Sequence, residues 1–566
     1  MAFREECMLK PLVQGMRTLF ASPADSPLTF NGEQAIAVIN RRLMMKRSIG
    51  DVACCAVIIV LCLYAGLPRY RCRVDFRDEG FLAYGAVRVM EGQVPNRDFV
   101  SLQPPLSFYS IAAVFKLFGT SLASLRAAGL VVYILIPVVL YAITRHRAGK
   151  ILSLATALPA AVFGIAYFHF VPYAVWQGEL AALLTIFFLL RAAATELRRW
   201  SILAGVANAA TVLLRHDQGA YLIGAVIVYF FAVRFTERDA VGRRTADRMI
   251  LFWAASMAAT MLPLIVYWIS LGAAASMVKQ LVVFPLTRYA ATSSLSFPAF
   301  VAGSSLTKNL SVALFYIPPV IELLATIWLL RLLIRRCFSV EHSQITFILA
   351  VSIFFYLQAL TRSDMYHLLI TLPPLFVLCG WLVGVLSNAT EAAVQKRHGQ
   401  FLALFSKRAV PVAAGLIVGP FLLVMMPIFL PSPAGASRQL LLDRGGVYLN
   451  PEDAEHLERI VKILQSKAAP DKPILALPYN PMFYFLTERR NPTRWNYLWP
   501  GDQTPEEHQA LINQARSDPP EAVVLEREYM LYYAPLIVDY VHTEYDLAYT
   551  AGKLRIYFPK ASLRKR

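Results

Sequence analysis

The sequence predicts a polytopic α-helical membrane protein with about eleven transmembrane helices, closed by a small C-terminal α/β extracytoplasmic domain. Three observations carry this. Of 566 residues 57% are hydrophobic and 16% charged, where a soluble chain carries about a quarter charged residues. The apolar residues come in blocks of about 17–25 separated by short charged loops, the spacing that a bilayer imposes. After residue 431 these blocks give way to short helical and strand-like runs.

The apolar runs place spans at 50–67, 121–144, 150–169, 174–191, 200–214, 217–234, 249–271, 309–334, 344–361, 365–386 and 408–430. Residues 1–49 are mixed and polar, without a strong period or a cleaved-leader pattern, so they read as a cytoplasmic tail and the first apolar run as a retained span. The seven cysteines lie mostly in or beside apolar segments without metal-ligand spacing, which points to neither a disulfide framework nor a zinc site.

Lys and Arg exceed Asp and Glu by 18. A basic stripe would mark nucleic acid, but here the basic residues alternate between loops. They gather at Arg41, Arg42, Lys46 and Arg47; at Arg145, Arg147 and Lys150; at Arg198 and Arg199; at Arg238, Arg243, Arg244 and Arg248; at Arg331, Arg335 and Arg336; and at Lys396, Arg397, Lys407 and Arg408. The positive-inside rule makes these loops cytoplasmic. Loops 68–120, 170–173, 215–216, 272–308 and 362–364, with everything after 431, then face the other side, and the partners are membrane lipids rather than nucleic acid.

The remaining charges collect on that outer side: Asp75, Arg77, Asp78 and Glu79; Glu179; Arg215, His216 and Asp217; Arg362, Asp364 and His367. An unpaired charge at the bilayer centre costs about 3 kcal/mol or more. Each alone reads as an interface residue that snorkels to water; gathered on one face, they read as a shared polar cavity. In the long loop 68–120, Phe81 to Met90 has helical spacing and follows two acids that suit a helix N-terminus. A second short helix is expected from Pro104-Pro105 to the break at Gly119. Both are too short to span and are expected at the membrane surface.

The ordered set Asp78-Glu79-Gly-Phe-Leu-Ala-Tyr84, Gly92, Pro95, Gln103-Pro104-Pro105-Leu106-Ser-Phe-Tyr109, Leu117-Phe118-Gly119 and Arg126 resembles the GT-C superfamily of membrane glycosyltransferases, in the branch of the protein mannosyltransferases and lipid A aminoarabinose transferases (family 39 type). Leu214-Arg215-His-Asp217-Gln-Gly219 and Thr361-Arg362-Ser-Asp364-Met-Tyr-His367 look like further motifs of that branch. The resemblance implies transfer of a sugar from a polyprenyl-phosphate donor to a glycan, lipid or protein acceptor on the outer face of the cell inner membrane, with inversion. It implies Asp78 as the base for the acceptor hydroxyl, with Glu79 secondary. Arg215 and Arg362 become candidates for the lipid phosphate, with His367 as a hydrogen-bond donor. Asp217, Asp364 and Gln103 become candidate sugar or acceptor contacts, Asp217 and Asp364 serving alternatively as plain charge partners of the arginines. Relatives often carry a lysine where this chain has Gln103. No catalytic metal and no cofactor are implied.

The chain is thus expected to divide into a tail (1–49), a transmembrane catalytic domain (50–430) and a soluble domain (431–566). In the last, a helix at 451–467, strands at 473–477 and 522–525, a helix near 505–516 and closing strands at 543–549 and 553–558 are expected. It contains no phosphate-binding glycine loop. Aromatic residues at Trp495, Tyr497, Trp499, Tyr529, Tyr532 and Tyr533 suit either a sugar surface or core packing. Two other functions fit the outer cavity: a ligase or polymerase of lipid-linked glycans, and a secondary transporter of a polar substrate. The transporter predicts internal repeats and broken helices near mid-bilayer, which the sequence does not show.

Overall fold

The computed structural model of the chain describes residues 32–163, 170–237, 240–397 and 435–561, with positions 415 and 419. The span expected at 408–430 lies almost wholly outside them, as do residues 1–31. The chain forms two compact units, Met1–Ala53 and Cys54–Arg566. The first contributes the start of helix α1, Gly32–Gly66, which begins well ahead of the expected apolar run. Every other described element belongs to the second.

Outside the membrane portion lie two short helices, α2 (Asp78–Met90) and α3 (Leu106–Phe118). The membrane portion continues with α4 (Leu122–Thr144), α5 (Lys150–Phe163), α6 (Ala174–Thr195), α7 (Arg198–Leu214), α8 (His216–Thr236) and α9 (Ala240–Ser270). It ends with α10 (Leu306–Ile334), α11 (Val340–Thr361), the five-residue α12 (Met365–Leu369) and α13 (Leu372–Arg397). Seven helices among the described residues are long and apolar enough to cross a membrane. Of the other expected spans, 150–169 is described as far as Phe163, 200–214 is the 17-residue α7, and 365–386 is broken into α12 and α13.

Burial sorts these helices. Helix α11 is mostly enclosed, packing against α8 and α13, whereas α9 leaves most side chains, including Leu251, Leu262 and Ile265, exposed. An apolar helix exposed in this way faces lipid. Helix α7 lies between α6 and α9, and Gly205 makes that possible: a Cβ there would come within 2.2 Å of the Trp253 carbonyl.

The segments between spans meet at two ends. At one, Arg147 joins Gln344 across the start of α11 and Trp381 donates to the Thr144 carbonyl. At the other, the loop before α4, the loop before α6, the α7–α8 junction, residues 271–305 and the α11–α12 junction come together. Arg97 donates to the Leu271 carbonyl, Asn96 pairs with Gln280, Tyr173 with Asp75, and Leu295 bridges to Arg362.

The C-terminal residues belong to this second end. Strands β1 (Arg438–Gln439) and β2 (Tyr448–Leu449) form a small antiparallel pair, and helix α14 (Pro451–Lys467) follows, capped by the Asn450 side chain on the Asp453 amide at 2.7 Å. A four-stranded sheet has the order β3 (Ile474–Leu477), β4 (Ala522–Glu526), β6 (Leu554–Pro559), β5 (Tyr545–Ala551). Strands β3 and β4 are parallel and the other pairs antiparallel. Alternation along β3 sends Ile474 and Ala476 to one face and Leu475 and Leu477 to the other, so both faces are covered. Helices α16 (Pro505–Ser517) and α17 (Pro535–Glu544) cover the second face. The first face is covered by α14, by α15 (Met482–Thr487) and by the outer loop itself: Phe81, Leu82, Phe108 and Phe115 share one buried core with Ile460, Phe483 and Val524. Helix α15 and helix α17 were not expected from the sequence; α15 is one short, fully buried turn-and-a-half without an amphipathic period.

The contact is close. A Cβ at Gly80 would sit 2.4 Å from the Met482 backbone nitrogen, so only glycine lets α2 and α15 meet this way. Beneath it, Arg126 on α4 makes a two-pronged bond to Glu79, at 2.6 and 2.7 Å, with both side chains wholly buried. Its third nitrogen donates to the Cys72 carbonyl at 2.6 Å. Breaking such a buried pair leaves one uncompensated charge and costs about 3–5 kcal/mol. Glu79→Ala is therefore expected to lower the thermal stability of the detergent-purified protein markedly, and the double variant Glu79→Leu/Arg126→Met to recover most of it; a single variant as stable as the native chain contradicts this role.

Candidate active site

Asp78 and Glu79 are adjacent yet fare differently. Helix geometry turns successive side chains about 100° apart, so while Glu79 points to Arg126, Asp78 is open to solvent. Glu79, expected as a secondary base, is wholly buried and committed to Arg126. Asp75 anchors the turn before α2: its carboxylate accepts from the Arg77 and Glu79 amides at 3.0 and 3.3 Å and from the Tyr173 hydroxyl at 3.0 Å.

Asp78 receives a hydrogen bond from the hydroxyl of Tyr479, a residue of the C-terminal region. Removal of bulk solvent by the surrounding protein, then the charge of Asp75, push the Asp78 carboxyl above the ordinary carboxylate range, while the Tyr479 bond and the charges of Arg77 and Arg362 work in the opposite direction.

Both arginines expected to meet the lipid phosphate are at this end, and each already holds an aspartate. Arg215, between α7 and α8, makes a two-pronged pair with Asp217 at 2.7 and 3.0 Å. Asp217 also accepts from the Gln358 amide on α11 at 3.0 Å. Arg362, after α11, pairs with Asp364 at 3.0 Å. Asp364 in turn accepts from the His367 backbone at 3.0 Å, capping α12, and pairs with its ring Nδ1 at 2.8 Å. Tyr289, from the irregular helical segment 274–293, lies close enough to Arg362 and to Arg215 to act on their charges. Asp217 and Asp364 are thus charge partners of their arginines, the plainer of the two expectations. Gln103 is tied to Ser101, through its backbone amide and carbonyl at 2.9 Å each, and its side-chain oxygen is buried without a hydrogen-bond partner. The structure gives it no part in the Asp78 or arginine contacts among the described residues.

The roles of Tyr479, Asp75 and Tyr289 and the Arg126 partnership went unread in the sequence. Arg126 carried a signal as a motif residue and Asp75 as one of the outer charges; Tyr479 is 401 positions from Asp78, and no local pattern announces such a contact. Of the aromatics weighed as a sugar surface, Tyr497 is buried between Phe81 and Tyr479, at 5.5 and 5.1 Å between ring centres, and Trp499 stands 6.4 Å from Tyr479.

Residues 102–268 match the family of dolichyl-phosphate-mannose-protein mannosyltransferases. No curated protein sequence matches. Among solved structures, the chain is similar to ArnT from Cupriavidus metallidurans bound to undecaprenyl phosphate, with 14% identity over 90% of this chain and 98% of that one and a TM-score of 0.53. It is also similar to the oligosaccharyltransferase AglB from Archaeoglobus fulgidus in complex with an inhibitory peptide and a dolichol-phosphate, with 11% identity over 91% and 75% of the two chains and a TM-score of 0.54. The chain has the GT-C fold. Within this GT-C fold the family match takes in Gln103, Arg126, Glu179 and Arg215, while Asp78, Arg362 and Tyr479 lie outside it.

The Asp364 cluster can be checked directly. Burial alone would raise its pKa, but the His367 bonds and the charges of His367 and Arg362 hold it down to about 2. A carboxyl depressed in the folded state contributes its full stabilisation above the ordinary carboxylate range and loses it as the pH falls toward 2. Asp364→Asn is expected to lower the melting temperature at pH 6, and the gap to the native chain is expected to narrow steadily as the pH is taken down to 3; a gap independent of pH refutes the ion-pair account.

Proposed function

We propose that the protein is a membrane glycosyltransferase that moves a sugar from a polyprenyl-phosphate-linked donor to an envelope glycan, lipid or protein acceptor. The observation that carries this reading is the solvent-exposed carboxylate of Asp78 at the start of α2, held by the Tyr479 hydroxyl and felt by the Arg362 charge. Support comes from the GT-C fold, from the mannosyltransferase family match, and from relatives described with undecaprenyl phosphate and dolichol-phosphate. In this reading Asp78 takes the proton of the acceptor hydroxyl as its oxygen attacks the anomeric carbon. The bond from that carbon to the phosphate oxygen breaks with inversion, and the electron pair leaves with the polyprenyl phosphate. Arg362 and Arg215 stabilise the charge gathering on the departing phosphate, with His367 beside Arg362. Glu79 positions Asp78 by fixing the start of α2.

In this reading the second end, with residues 431–566, lies outside the inner membrane and the N-terminus in the cytoplasm, which the alternation of basic loops supports. The stretch 50–430 forms the catalytic membrane domain and 431–566 an extracytoplasmic α/β domain.

The test is transfer by the purified full chain from a panel of labelled polyprenyl-phosphate sugars to extracted envelope acceptors. Asp78→Asn is expected to lower kcat at least a hundredfold, about the scale of general-base catalysis, with folding intact; Arg362→Gln is expected to weaken donor use. Because Asp78 works ionised and its pKa is raised, activity is expected to fall on acidification at a pH above the ordinary carboxylate range. Transfer by the native chain that survives Asp78→Asn undiminished sinks the assignment of the base, and no transfer from any donor sinks the function.

A further inference from the structure

We propose that Tyr479 is a positioning residue for this reaction: its hydroxyl holds one carboxylate oxygen of Asp78 so that the other is left for the acceptor. The inference rests on the reading of Asp78 as the base. It makes the C-terminal region part of the reacting site and not only a cover over it.

The geometry supports this from both sides of the bond. The Tyr479 hydroxyl donates to Oδ1 of Asp78, and among the described residues Oδ2 receives no hydrogen bond. Arg77 and Arg362 add charge around Asp78 without fixing its direction. A carboxylate on an exposed first turn otherwise rotates freely about its last torsion, and one hydrogen bond removes that freedom.

The donor is itself held. Tyr479 follows β3 and precedes α15, and the Leu498 amide donates to the neighbouring Pro478 carbonyl at 2.7 Å. Its ring lies against Tyr497 and Trp499. Helix α15 is docked on α2 through the Met482 amide to the Phe76 carbonyl at 3.3 Å, the Phe76–Phe483 ring contact at 5.3 Å and the Gly80 approach. Tyrosine and carboxylate thus belong to one packed unit, as a pre-oriented base requires.

Beside this pair is an open cavity of about 450 Å³ lined by Asp75, Arg77, Asn480, Glu526 and Lys553 among others. Its lining takes in Arg77 and Asn480, the chain neighbours of Asp78 and Tyr479, but neither of those two residues.

Tyr479→Phe removes the hydroxyl and keeps the ring contacts. Transfer by the full-length variant is expected to show kcat lowered about ten- to a hundredfold, the scale of a hydrogen bond to a charged group, with the donor KM within about twofold. Since the lost bond favours the ionised carboxyl, the acid limb of the rate profile is expected to move to higher pH. A readout independent of transfer is labelling of Asp78 by a carbodiimide, which reacts with protonated carboxyls: in Tyr479→Phe labelling is expected to persist to higher pH than in the native chain. Unchanged kcat, rate profile and labelling in a variant with native thermal stability overturn the proposal. If the native chain transfers no sugar, the functional reading fails by itself, and the labelling still decides whether Tyr479 governs Asp78.

Discussion

The outer half of this molecule depends on one buried ion pair. Two charges removed from water are tolerated only when their hydrogen bonds are complete, and here they are: the Glu79 oxygens accept from two Arg126 nitrogens and the Asp75 amide, while Arg126 spends its remaining nitrogen on the Cys72 carbonyl. The pair ties the loop after the first span to helix α4. It fixes the rotation of α2 about its axis, and with it the direction in which Asp78 leaves the helix. A hydrophobic contact has no such directional demand; a forked guanidinium does.

On that fastening a second constraint is built. The outer loop is too short to bury its own apolar face, so Phe81, Phe108 and Phe115 complete their core with residues from α14, α15 and the sheet. Polar ties run through the same contact: Arg88, buried on α2, donates to the Asn496 side chain at 2.7 Å, and the Asn491 amide donates to the Tyr84 hydroxyl at 2.7 Å. Loop and C-terminal region therefore fold as one body, and whatever the loop presents to a substrate, the C-terminal region shapes.

The legible parts of this protein were those decided by local chemistry. The spans were readable because a bilayer permits little besides long apolar helices, and α14, α16 and the four main strands because their periods and caps are written in consecutive residues: Asn450 before Pro451, and Thr504 with Glu507. Helix α15 was not, because Met482 to Thr487 is buried on every side and tertiary packing alone makes it a helix. Among the outer charges, the clustering at one end was readable and most of the pairings were not. Asp78 and Glu79 look interchangeable in sequence; only the position of Arg126, 47 residues on, separates them. Arg215 and Arg362 each have an aspartate two residues on, which the sequence left open as either charge partner or substrate contact and the folded chain uses as a partner.

In the proposed reaction, that pairing bears on how the two arginines would meet a lipid phosphate. An unpartnered guanidinium held in a poorly solvated cleft costs several kcal/mol, whereas an aspartate two positions on holds the arginine's planar fork in a fixed direction before any ligand arrives. Arg215 commits one edge of the fork to Asp217, and Arg362 commits its Nε to Asp364, with Tyr289 beside it. The remaining guanidinium donors stay available to a phosphate oxygen. The aspartates cancel much of the standing charge, so under the proposed mechanism the gain would come when charge builds on the leaving phosphate. Preorganised donors whose net charge is nearly neutral before reaction favour the transition state over the ground state, and this arrangement also lets the spent lipid phosphate depart.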